Sequence, residues 1–126
     1  MTTETPENPF FRPPRESTLA DDEIRSQVRA EFHDIQTRFL DRLACACVFD
    51  RERFEALLLW LDTLRRCYAA ADLPMLASDF DQFRSIATYL EQEATYSKDQ
   101  REECIAAHTR WLGIMRDYGQ LQEQKP

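Results

Sequence analysis

A chain of 126 residues has room for one domain, and 43% hydrophobic with 31% charged residues places it among globular rather than disordered proteins. Its two glycines, Gly113 and Gly119, are too few and too late for the turns of a β-rich fold, which leaves long helices. The net charge of −7 is spread along the chain, with the arginine pairs interleaved with acids, and argues against a nucleic-acid or anionic-membrane surface. The longest run of large apolar residues, Leu57–Leu61, is too short to span a bilayer. No basic region followed by an apolar stretch opens the sequence, so no secretory signal is expected. Four cysteines then read as free thiols, and the expected location is the cytoplasm.

Residues 1–16 contain Pro6, Pro9, Pro13 and Pro14, which fix φ and disfavour helix in the residues before them. This stretch is expected to be an extended, flexible tail. It carries two adjacent aromatics, Phe10 and Phe11, in the run "NPFFRPPRE". A pre-extended segment with exposed phenylalanines has little entropy to lose on docking, so Phe10, Phe11, Pro13 and Pro14 are candidate partner-binding residues. The same side chains have an alternative seat on the chain's own helices. Asn8-Pro9-Phe10 also matches the tripeptide that EH domains bind, a signal only three residues long.

Order is expected from Ser17 or Thr18, either of which suits a helix cap ahead of Asp21, Asp22 and Glu23. Ile24, Val28, Phe32, Ile35, Phe39, Leu43 and Cys47 recur at steps of three or four and predict a first helix over about 18–48. Asp50 suits the cap of a second, over about 51–71, antiparallel to the first because the connection is short. Phe54, Leu57, Leu58, Leu61, Leu64 and Tyr68 make one of its faces, and Leu57–Trp60 makes a full turn apolar all round. Pro74 ends it, and the apolar loop "LPML" is expected to fold back onto the helices.

Ser78 with Asp81 predicts the start of a third helix, over about 78–95, whose Phe80, Phe83, Ala87, Leu90 and Ala94 form a heptad-like seam. Ser97 with Gln100 repeats the cap pattern for a fourth, over about 98–121. Here two seams run side by side: Ile105, His108, Leu112 and Met115, beside Cys104, Ala107, Trp111, Ile114, Tyr118 and Leu121. Gly113 inside this helix costs up to ~1 kcal/mol relative to alanine, so the close approach of another helix, or a kink, is expected there.

Four amphipathic helices with short loops predict an all-α, up-down-up-down four-helix bundle over 17–122, with a frayed end at 123–126. The alternative is a short TPR-like helical solenoid, since Trp111 and Tyr118 have the spacing of one such repeat's aromatics; nothing else repeats at a fixed period.

No phosphate-binding loop, nucleophile elbow or zinc-protease motif is present, and no residue is assigned a catalytic role. Cys104 and His108, four apart on one helix face, are the candidate metal pair, with two more ligands needed. Cys45 and Cys47, two apart on a helix, point away from each other and do not chelate together. No cofactor is expected. The tryptophans beside the helix seams and the aromatic tail predict a non-catalytic interaction module (adaptor, assembly factor, chaperone or inhibitor) that binds a larger protein through an apolar, aromatic helical face and the tail. Trp60, Trp111 and Tyr118 are its candidate contacts, and a homodimer through the second and fourth helices follows if the tryptophans are exposed. The alternatives are a metal- or thiol-based sensor centred on Cys104 and His108, and a small enzyme without a readable motif.

Overall fold

The computed structural model describes residues 8–45, 48–96 and 100–123, with side chains as far as Asp117 except that of Tyr96. The fold is all-α, as expected, with no strand among the described residues. A 3-10 turn at Glu16–Thr18 precedes α1 (Asp22–Cys45), α2 (Arg51–Ala70), α3 (Ala77–Tyr96) and α4 (Arg101–Glu123). The chain divides into two compact units, Met1–Phe39 with Asp50–Ala71, and Leu40–Phe49 with Asp72–Pro126. No helix of the described residues is long and apolar enough to cross a membrane.

In the first unit α1 and α2 pack antiparallel. Phe39 near the end of α1 meets Phe54 at the start of α2, ring centroids 5.6 Å apart. At the opposite end the Arg25 guanidinium lies 6.0 Å from the centre of the Tyr68 ring. Val28, Phe32, Ile35 and Phe39 are buried as the helical stripe requires, against Phe54, Leu57, Trp60, Leu61 and Leu64. Each such side chain contributes about 1.5–3 kcal/mol through burial, which is the main source of stability here. The all-apolar turn of α2 is not wholly enclosed: Leu57 and Trp60 are buried, but Leu59 stays exposed.

The start of α1 differs from the sequence expectation. The Thr18 hydroxyl donates to the Arg15 carbonyl instead of capping a helix, and the chain makes a 3-10 turn. Asp21 takes the cap: its carboxylate accepts from the Glu23 amide at 2.8 Å and its carbonyl from the Arg25 amide at 2.9 Å. Asp50 caps α2 as expected, accepting from the Arg53 amide at 3.1 Å. Past Ala71 the chain turns through Asp72, whose φ of 57° is left-handed, a conformation aspartate tolerates better than most residues.

In the second unit α3 and α4 pack antiparallel around Phe83 and Trp111, whose rings meet edge-on at 6.3 Å. The α3 seam is buried through Phe80, Phe83, Ala87 and Leu90, and Ile86 joins it. Helix α3 begins one residue before Ser78, with the Leu76 carbonyl accepting from the amides of Asp79 and Phe80. The "LPML" loop does not fold away: Leu73 and Leu76 are both exposed. The cap expected at Ser97 lies outside the described residues; Gln100 supplies the carbonyl that accepts from the Cys104 amide.

Candidate protein-contact site

The tail segment 8–16 lies on α2, and short-range chemistry explains how. Asn8 closes a turn on itself, its side-chain carbonyl accepting from the Phe10 amide at 2.8 Å and its main-chain carbonyl from the Phe11 amide at 3.2 Å. The Asn8 side-chain amide then donates to the Glu52 carbonyl at 2.8 Å. That turn delivers the two phenylalanines to α2 from one side. Phe10 stacks under the Arg53 guanidinium, 4.3 Å from the ring centre, while Asp50 holds the same guanidinium at 2.6 Å. Phe11 meets the Trp60 indole edge-on at 4.9 Å, and the indole N–H donates to the Phe10 carbonyl at 2.9 Å. Five residues beyond Phe11, Glu16 pairs with Arg66.

Of the residues with candidate partner roles, Phe10, Phe11 and Pro14 are therefore half-buried against this chain, and Pro13 is exposed. Trp60 is 4% exposed beneath the tail. Trp111 is completely buried and donates its indole N–H to the Phe83 carbonyl at 2.9 Å. The condition for a dimer through exposed tryptophans is thus not met. The Tyr118 side chain lies outside the described ones.

The tail and α1 border an open cleft of about 800 Å³, whose lining includes Arg12, Arg15, Glu31, Asp34 and Trp60. Several of its polar groups already have partners: Thr18 the Arg15 carbonyl, Asp34 the Arg38 guanidinium and Trp60 the Phe10 carbonyl.

The cysteine and histidine of α4 differ in exposure. Cys104 is completely buried and its thiol is pushed up to about 11, first by burial and then by the carboxylates of Glu93 and Glu103. A thiol held protonated is a weak ligand and a weak nucleophile at neutral pH. Burial also raises Cys67. His108 is half-buried, and no group of three metal-ligating side chains occurs among the described residues.

No family model, curated protein or solved structure matches this chain. The site is therefore read from the chain's own geometry.

That geometry singles out the outer seam of α4. Cys104, Ala107 and Trp111 are at most 4% exposed, whereas Ile105 is 46% and Leu112 39% exposed, with His108 and Met115 half-buried beside them. The two seams were visible in the sequence, but not which of them would face outward. Packing α3 along α4 covers one stripe, and the second is left over. Nothing among the described residues lies within 4 Å of a Cβ added at Gly113, so no close helix approach among them accounts for it. Arg53 and the Glu16–Arg66 pair, which hold the tail, were not anticipated; they belong to contacts with no periodic signal.

Proposed function

We propose that this chain is a non-catalytic protein–protein interaction module, an adaptor, assembly factor, chaperone or inhibitor, that binds a larger protein through the outer seam of α4. The observation that carries the reading is the pairing of Ile105 and Leu112, two large aliphatic side chains seven residues apart on one exposed helix face. Seven residues is two helical turns, about 10 Å, so both reach the same partner surface. Exposed aliphatic groups aligned on a helix suit insertion into an apolar groove or packing on another helix. The tail's aromatics serve a second purpose in this reading. They cover Trp60 and leave Arg12, Pro13 and Arg15 facing outward as a further contact edge.

A photo-crosslinking residue at Leu112, compared with one at exposed His33 on α1, tests the reading in cells of the native host. A discrete adduct with a single larger protein from position 112 and none from 33 is the expected result. No adduct from 112, or the same pattern from both positions, contradicts it.

A further inference from the structure

We infer that the α4 seam takes an acidic amphipathic helix of a partner protein rather than a second copy of this chain. The inference rests on the seam being a contact face, and it names the chemistry of what covers that face. Arg101, Ile105, Thr109, Leu112 and Arg116 fall within roughly 80° of arc at 3.6 residues per turn. Each arginine stands four residues outside one of the aliphatics, so the strip is apolar at its centre and cationic at both ends. Glu102, Glu103 and Asp117 lie outside that arc. Several arginines are held in ion pairs: Arg25–Asp22, Arg38–Asp34, Arg53–Asp50, Arg65–Asp62, Arg66–Glu16 and Arg84–Asp81. Arg101 and Arg116 are both exposed, and neither has an ion pair among the described residues. Two exposed cations bracketing an apolar stripe, on a chain of net charge −7, offer carboxylates a place at each end of the seam.

A second copy does not complement this strip in either direction. Laid antiparallel so that Ile105 meets Leu112 of the other copy, the strip brings Arg101 against Arg116 at both ends. Laid parallel and in register, it brings each arginine against itself. Like charges juxtaposed across an interface are the usual means by which wrong partners are rejected. A helix with leucines along one stripe and carboxylates flanking them satisfies both the apolar centre and the cationic ends.

The test uses the full chain and two synthetic 18-residue helical peptides with the same leucine stripe, one flanked by glutamates and one by lysines. On net charge alone this acidic chain favours the lysine peptide, so a preference for glutamate must arise locally. The glutamate peptide is expected to bind about tenfold more tightly in low salt, with the advantage shrinking as salt screens it. Arg101→Glu with Arg116→Glu, both at exposed positions, is expected to invert the preference, and Ile105→Glu with Leu112→Glu to abolish binding of both peptides. Equal binding of the two peptides, or a preference that survives the arginine reversal, overturns the acidic partner while the seam remains a contact face. Self-association in sedimentation equilibrium that disappears in the Ile105/Leu112 variant also overturns it. Binding of neither peptide overturns it too; whether the seam itself fails is then decided by the crosslink at position 112.

Discussion

The Trp60 indole N–H donates to the Phe10 carbonyl at 2.9 Å, joining the tail to α2 across fifty residues of sequence. The same indole receives Phe11 edge-on, so one side chain both anchors the tail's backbone and packs against its aromatic ring. Trp60→Phe keeps most of the packing and removes the donor. It is expected to cost about 1 kcal/mol in urea denaturation. A chain starting at Ser17 should leave Trp60 open to acrylamide quenching while Trp111, completely buried, stays protected as an internal reference. Unchanged quenching of the shortened chain would contradict the seat described for the tail.

Trp111 is the buried centre of the α3–α4 pair, with its N–H committed to the Phe83 carbonyl. Trp111→Ala is expected to destabilise by about 3–5 kcal/mol, the usual range for deleting a buried aromatic. Trp111→Phe should cost less but remain measurable, since the Phe83 carbonyl loses this donor and the smaller ring leaves a gap.

Gly113 lies in a helix interior with nothing among the described residues within 4 Å of an added Cβ. Gly113→Ala should therefore raise stability, by up to about 1 kcal/mol, through helix propensity alone. A destabilised variant would mean that the position makes a contact absent from this structure.

The Cys104 thiol sits above its ordinary value of 9.0, at about 11, chiefly through burial. A folded-state value above the unfolded one means that this contribution to stability is complete below about pH 9 and is lost as pH climbs towards 11. The unfolded chain gives up its proton first, so stability should fall by about 1 kcal/mol per pH unit across that window. Denaturation of the native chain and Cys104→Ala at pH 7, 9 and 10.5 isolates the effect, since the other titrating groups are common to both.

Helix number, order and most of the core were legible in the sequence because they are periodic. The α1 stripe from Val28 to Leu43 and the α3 seam from Phe80 to Leu90 follow from spacing alone. The start of α1 was misplaced because Thr18 and Asp21 both suit a cap, and only the tail's path, with the Thr18 hydroxyl turned to Arg15, selects between them. Leu73 and Leu76 were expected to tuck in on hydropathy, but a loop held by Asp72 and the Leu76 carbonyl leaves them outside. The tail's seat was undecidable by pattern. It depends on a carbonyl meeting an indole and a ring meeting a guanidinium, neither of which repeats along the chain. The paired seams of α4 were plain, but choosing the outward one required knowing where α3 lies.

The most direct test of the account is capture from the native host with the wild-type chain and with Ile105→Glu/Leu112→Glu, matched for helix content and urea midpoint. Both positions are already exposed, so the fold should survive the change. The account predicts a stoichiometric protein partner on the wild-type chain that is lost from the variant. The same partner retained equally by both chains would contradict it.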